Sequence, residues 1–329
     1  MSTLAPILQS FFTDRLHHQR QASTHTIAAY RDAIKLLVVF AAHRTAKAPS
    51  DLDITDLDAP LIGAFLNYLE AGRNNSVRTR NARLAAVHAL FRHAFLHRPD
   101  DAVIIQRVLA IPPKRFDRRL VSYLTEKEIT ALLAAPDCGT WTGRRDQALL
   151  MLACQTGLRA SELIHLTVSD VHLGTGAHVS CLGKGRKQRI TPLTSGTATT
   201  LRAWLAERGG LPTQALFPTR RGNPLSRDGL QRRLAIYSST AAQTCPTLRG
   251  KHVSPHVLRH SAAMRLLAAG VDTTVIALWL GHEHVATTQI YVHADLALKE
   301  KALARTAPQH AQPGRYRPSD TVLAFLEGL

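Results

Sequence analysis

Apolar residues recur every three to four positions over most of this chain, the spacing of helices with one buried face. Ser23 or Thr24 can cap a first such run, in which Ile27, Tyr30, Ile34, Leu37 and Val38 share a side. Pro60 to Leu69 makes a second, with Leu61, Phe65, Leu66 and Leu69 inward and Gly72 as its stop. Ser76 opens a third, whose Leu84, Val87, Leu90 and Phe91 point to a core. Further on, Thr125-Glu-Lys-Glu128 is a capping box ahead of a helix ending near Pro136. Arg144 to Gln155 is a largely apolar helix stopped by Thr156-Gly157, and Ser161, Leu163 and Leu166 begin another. The pattern changes only between Val168 and Thr191. There His178 to Cys181 and Gln188 to Thr191 flank Gly183-Lys-Gly-Arg-Lys187, which predicts a β-hairpin with a basic, glycine-rich tip. Helical spacing returns over Leu193 to Arg208, Arg227 to Gln243, Pro255 to a stop at Gly270, Thr273 to Leu280, and Leu296 to Arg305.

This pattern predicts a mainly α protein with a small β-hairpin or sheet. Its 329 residues suffice for two domains, each with its own core. Pro112 to Leu120, PPKRFDRRL, is extended, basic and opened by proline. It reads as an interdomain linker, residues 112–120, between a helical domain at 1–111 and a second domain at 121–306. Residues 307–329 form a further linker and a C-terminal helix. In that helix Val322, Phe325, Leu326 and Leu329 fall on one side. A helix of about eleven residues is marginal alone in water, so the stripe needs a surface, either its own domain or a neighbouring subunit.

Charge narrows the partner. The formal net charge is +17, with 41 Lys+Arg against 24 Asp+Glu. This favours a polyanion, without separating DNA from RNA or an acidic membrane. The N-terminus has no basic region followed by a cleavable apolar core, and no apolar run spans a bilayer. Cys138, Cys154, Cys181 and Cys245 are widely spaced, as in a cytoplasmic protein with reduced thiols.

Candidate chemistry concentrates between Ser254 and His293. Pro255 suits a first helical turn, where its missing N–H would have no partner. His256, Arg259 and His260, at i, i+3 and i+4, put three anion-holding side chains on one face. The next helix ends at Gly281-His282, and Tyr291 follows. A guanidinium fork matches the charged oxygens of a phosphodiester, and an activated tyrosine hydroxyl can attack phosphorus. Other basic residues cluster elsewhere. Arg73, Arg78, Arg80 and Arg83 lie in or near the first turns of the third helix, where they oppose its dipole. A phosphate contact or a solvated basic face accounts for them equally well. Lys114 and Arg115 sit in the linker, and Arg227 belongs to a basic face with Arg220, Arg221, Arg232 and Arg233.

His256-Val-Leu-Arg259-His260, then Leu280-Gly281-His282, then Ile290-Tyr291 resemble the signature of the tyrosine recombinase (phage integrase) family. TGLRASEL around Arg159 resembles its first arginine motif, and GKGRKQRITPL its GKGxKxR…PL hairpin. The segment STHTIAAYRDAIKLLVVF resembles, more generally, the SAM-like core-binding domain. The resemblance implies an α-helical SAM-like core-binding domain plus an α+β tyrosine recombinase catalytic domain. It implies that Tyr291 attacks the scissile phosphate and forms a 3′-phosphotyrosyl bond. Arg159 and Arg259 would bind the non-bridging oxygens, and Glu162 would orient Arg159. His256 and His282 would hydrogen-bond the same phosphate, with His256 also helping to take the tyrosine proton. Lys184 would protonate the departing 5′ oxygen. No cofactor or metal is implied, and His260 is given only a structural place. Arg73, Arg78, Arg80, Arg83, Lys114, Arg115, Arg186, Lys187 and Arg227 are the expected DNA contacts.

The implied partner is double-stranded DNA with paired recombination sites, exchanged through a Holliday junction. The protein would act as a homo-tetramer on DNA, a dimer per site, with the C-terminal helix docking in trans and accessory recombinases as possible partners. The implied setting is a mobile element's integrase or transposase; the alternative is an Xer-type recombinase resolving chromosome dimers. Two readings of other classes remain. His256 and His260 have the i, i+4 spacing of a zinc pair, with His282 and His284 downstream, as in a metal-dependent phosphoesterase. Against it, Val257 stands where the zincin-type glutamate would be, and no Asp/Glu cluster lies nearby. The other is a DNA-binding protein with an inert site.

Overall fold

The computed structural model describes residues 4–116, 121–183, 188–208, 214–282, 287–288 and 290–291. The chain divides into two compact units, residues 1–118 and 119–329. In the first, α1 (Leu4–Ser10) runs on as a π-helical segment, Phe11–Gln19. Then come α2 (Thr24–Thr45), α3 (Ala59–Ala71), α4 (Val77–His97) and α5 (Ala102–Leu109). Side-chain oxygens cap the starts: Ser23 accepts from the Thr26 N–H at 3.2 Å, Asp58 from Leu61 at 2.9 Å and Ser76 from Thr79 at 3.3 Å. Helices α2, α3 and α5 pack on α4 and bury Ile34, Leu37, Phe65, Leu66, Leu69, Leu84, Val87, Leu90 and Phe91.

Two features depart from the sequence pattern. The buried stripe of α3 runs through Ile62, Phe65, Leu66 and Leu69, and Leu61 only borders it. The segment 4–19 and α5 are helices that the pattern did not single out. In the first, Leu4, Ile7, Phe11 and Leu16 are buried, and α1 packs on α4. With eight residues, α5 is too short for its spacing to declare itself.

The second unit begins with α6 (Glu126–Ala134), where Thr125 and Glu128 form the expected capping box. It continues through α7 (Trp141–Thr156), α8 (Ala160–His165), β1 (Val171–His172), β2 (His178–Leu182) and β3 (Gln188–Pro192). After the sheet come α9 (Ser195–Arg208), α10 (Arg227–Thr244), α11 (Pro255–Ala268) and α12 (Thr273–Leu280). The sheet is antiparallel in the order β1-β2-β3, with Val179 opposite both Val171 and Thr191. Helix α7 packs on α9 and α11, α6 on α10, and α12 on α11 and β3. Among the described residues no helix is long and apolar enough to cross a membrane. The helices expected at 296–305 and 319–329 lie outside the described residues.

A buried carboxylate on α7, Asp146, ties that helix to α10. Arg145 donates from Nε and Nη2 to Asp146 Oδ1 at 2.8 and 2.7 Å, and from Nη1 to the Pro218 carbonyl at 2.8 Å. The Tyr237 hydroxyl of α10 donates to Asp146 Oδ2 at 2.6 Å. Removing one member leaves a buried charge without its partner, which costs about 3–5 kcal/mol. Asp146→Ala should therefore lower the urea unfolding free energy by about that much, and Tyr237→Phe by about 1–3 kcal/mol. An Asp146→Ala loss below about 1 kcal/mol would mean that apolar packing alone holds these helices together.

Candidate active site

Two helix ends frame the site. Helix α7 closes at Gly157 (φ +62°) and α12 at Gly281 (φ +65°), both in the left-handed region that glycine enters without strain. At α12 the Gly281 N–H donates to Leu278 O at 3.1 Å and the His282 N–H to Ala277 O at 2.9 Å, a Schellman closure. A helix end still leaves carbonyls unpaired and carries partial negative charge. Side chains from other elements take them. Arg259, on α11, donates from Nη1 to Gly157 O at 2.8 Å and from Nη2 to Leu280 O at 2.7 Å. Arg159 donates from Nη2 to Gly281 O at 2.8 Å, and Trp279 Nε1 to Thr156 O at 3.1 Å. A Cβ at position 157 would lie 2.8 Å from Leu280 Cδ2 and 3.1 Å from Ala262 Cβ, a crowding that adds to the cost of the left-handed backbone there.

Glu162 is the carboxylate of the site. It accepts from the Arg159 backbone N–H at 2.7 Å and from Arg159 Nη1 at 2.8 Å, reaching back from the first turn of α8 to its N-cap residue. Arg189 of β3 adds a fork to the same group, 3.0 Å to Oε1 and 2.7 Å to Oε2. Burial alone would raise the Glu162 pKa, but the Arg189 bonds and the Arg159 N–H outweigh it and hold it at about 2. Arg259 is 3 % exposed, and burial brings its pKa down to about 10, where it is still charged at neutral pH.

Tyr291 is 1 % exposed, and burial raises its pKa although Arg259 and Arg159 oppose the rise. Its hydroxyl lies 3.0 Å from His260 Nδ1. Burial, with the charges of His256 and Arg259, lowers the His260 pKa to about 4, so the ring is neutral at pH 7. In its Nε2–H tautomer, Nδ1 accepts from the phenol. His256 stacks on His260 at 5.7 Å between centroids. The His282 ring lies 6.3 Å from that of Tyr291, with Nδ1 2.8 Å from the buried Thr288 hydroxyl. Burial and the two arginines lower the His282 pKa to about 4 as well.

The structure thus brings Arg159, Glu162, Arg259, His282 and Tyr291 together, with His256 at the edge through His260. Lys184, Arg186 and Lys187 lie outside the described residues. The sequence reading missed two residues. His256 was expected to face the tyrosine proton, but one helical turn further along α11 it is His260 that meets the hydroxyl. Arg189 stood in the GKGxKxR…PL pattern without a role. The basic residues of the first unit divide. Arg73, Arg78 and Arg115 are exposed, and Arg83 is half-buried with an unpartnered Nη1. Arg80, by contrast, is 6 % exposed and bonded to Asn81 Oδ1 at 3.0 Å and Pro112 O at 3.4 Å, while Lys114 reaches Glu70 at 2.6 Å. These two brace residues 112–116 against α3 and α4. Arg227 is exposed. Among the described residues no three His, Cys, Asp or Glu side chains are placed to hold a metal ion.

Residues 122–297 match the phage integrase family, and residues 10–97 match the phage integrase N-terminal SAM-like domain. The chain is 53% identical over 328 residues to "Putative integrase/recombinase y4rC" of Sinorhizobium fredii, covering 100% of this chain and 99% of the relative. It is 33% identical to tyrosine recombinase XerC of Xanthomonas campestris pv. campestris, over 86% of this chain and 83% of the relative. The fold is similar to the Tn1549 transposon integrase solved with circular intermediate DNA, with TM-score 0.68 and 16% identity over 93% of this chain and 100% of the other.

The low Glu162 pKa carries a sign that can be measured. Its folded value of about 2 lies below the ordinary 4.5. Ionised Glu162 therefore stabilises the fold above pH 4.5, and the contribution fades as the pH falls toward 2. Wild type should exceed Glu162→Gln in urea midpoint by the widest margin at neutral pH, and the margin should close through that acid window. A margin that stays constant with pH would mean that the arginines hold glutamine equally well.

Proposed function

The chain belongs to the phage integrase family of tyrosine recombinases, enzymes that break and rejoin DNA, and we propose that Tyr291 is its nucleophile. The observation that carries this assignment is the buried phenol bonded to a neutral histidine, within electrostatic reach of Arg159 and Arg259. Tyr291 Oη bonds to phosphorus, the P–O5′ bond breaks, and a 3′-phosphotyrosyl link and a 5′-hydroxyl result. His260 Nδ1 accepts the phenol proton, and Lys184 supplies one to the departing 5′ oxygen. A 5′-hydroxyl from a second duplex then reverses the step, and exchange passes through a Holliday junction. The phosphotyrosyl link conserves the ester bond, so rejoining needs no nucleotide.

Charge balance supports these roles. Attack on a phosphodiester by a phenolate brings two negative charges together. Arg159, Arg189 and Arg259, set against Glu162 alone, leave an excess of two positive charges already in place. Preorganised charge of this kind stabilises a transition state without reorganising as it forms. Arg159 and Arg259 take the non-bridging oxygens, and neutral His256 and His282 add hydrogen bonds.

The substrate is duplex DNA with paired sites, bound as a dimer per site and a tetramer at exchange. Arg73, Arg78, Arg83, Arg115, Arg186, Lys187 and Arg227 contact its backbone, and residues 319–329 dock on the neighbouring subunit. The similarity to a relative named as an integrase/recombinase supports a mobile-element setting. The XerC relatives support the other reading, resolution of chromosome dimers.

Two experiments test the chemistry. A nicked duplex carrying the mapped cleavage site should leave a protease-sensitive adduct on the 3′ phosphate in the presence of EDTA. Tyr291→Phe should bind that DNA and form none; an adduct that survives the substitution would sink the assignment. Lys184→Ala should lose cleavage of the ordinary ester but recover most of it when the bridging 5′ oxygen is sulfur, a leaving group that needs little protonation. If sulfur restores nothing, Lys184 binds DNA and is not the acid.

A further inference from the structure

Arg189 stands against the pattern of its strand. On β3 the apolar Ile190 is 63 % exposed, while Arg189 and the fully buried Thr191 face inward. A strand with one buried face ordinarily does the opposite, and a local rule broken in a well-packed core marks a functional position. The Arg189 side chain is 10 % exposed, and its buried Nε has no partner. Such burial is unfavourable unless the charge is matched. The match is Glu162, held by both prongs. On the other side lies Gly281, where a Cβ would come within 2.8 Å of Nη1. The backbone that closes α12 is therefore packed directly on this guanidinium.

Glu162 and Gly281 are also the two partners of Arg159. Those bonds use two of the five N–H donors of Arg159 and fix the plane of its guanidinium. The carboxylate that orients Arg159 would, if alone with it, cancel its charge. A second cation on the same carboxylate prevents that.

We propose that Arg189 is a positioning residue for DNA cleavage: its fork neutralises Glu162, so that Arg159 is oriented by the carboxylate yet keeps its positive charge for the scissile phosphate. This rests on the assignment of Arg159 to the non-bridging oxygens. Without Arg189, Glu162 draws on Arg159 alone and repels the incoming phosphate. The defect then depends on the charge of the substrate, which a merely structural role would not produce.

The test compares two nicked duplexes with the mapped cleavage site, one with the ordinary scissile phosphate and one with a methylphosphonate, which is neutral there. Initial rates of phosphotyrosyl adduct formation are measured for wild type, Arg189→Gln, Arg189→Lys, and Arg189→Gln combined with Glu162→Gln. Thermal melts establish that each variant is folded. Arg189→Gln should slow reaction on the phosphate by about 10- to 100-fold, the range found when a supporting partner of a ligand is removed. It should raise the methylphosphonate-to-phosphate rate ratio about tenfold over wild type. Adding Glu162→Gln should bring that ratio back toward wild type. Arg189→Lys keeps the charge without the fork, so its ratio should fall between the two, and it carries the measurement if Arg189→Gln does not fold. A wild-type adduct together with an unchanged ratio in the folded variants overturns this role and leaves the nucleophile assignment standing. No adduct from the wild type on either duplex overturns both.

Discussion

Two helix C-termini repel each other when they meet, because each presents unpaired carbonyls and partial negative charge. Helices α7 and α12 nevertheless end side by side, and the guanidinium of Arg259 is what joins them, bonded to Gly157 O and Leu280 O. Arg159 makes the parallel connection to Gly281 O, and Trp279 to Thr156 O. The two arginines are thus part of the fold's own closure. Their placement relative to each other follows from where two helices stop, which is why both ends are glycines in the left-handed region. An arginine seated this way loses little further freedom when an anion arrives. Its position has already been fixed by folding.

Around this cationic core the other titrating groups are held in complementary states. Glu162 stays ionised under its two arginines, and His260 and His282 are kept neutral by burial and by the nearby positive charge. Tyr291 is kept protonated by burial. A single field therefore sorts the site into fixed cations, neutral hydrogen-bonding rings and an un-ionised phenol. That sorting is the starting condition for acid–base chemistry near pH 7.

Much of this was legible in the sequence, for reasons that differ by residue. Ser23, Ser76 and Thr125 announced helix starts because capping is local, decided within four residues. Arg259 and Tyr291 were legible because motif spacing carried them. His260 and Arg189 stood in the same motifs and received no role. For His260 the deciding fact is which turn of α11 meets a tyrosine 31 residues away. For Arg189 it is which face of β3 a residue occupies, and the carboxylate it meets lies 27 residues earlier. Arg80 differs in the reverse sense. A positive charge in a sequence does not say whom it faces, and this one is buried and bonded within its own unit, whereas Lys114 stays exposed beside Glu70.

The concealment of Tyr291 bears on selectivity toward small molecules. Nucleotides, sugar phosphates and inorganic phosphate abound wherever DNA is handled, and all are drawn to paired guanidinium groups. In this conformation such a molecule would find the guanidinium of Arg159, whose side chain is 28 % exposed, but a phenol that is 1 % exposed, with its hydroxyl already bonded. Attraction and reactivity are separated. A small metabolite can meet the exposed charge of Arg159 and leave unchanged, because the phenol oxygen is not open to it.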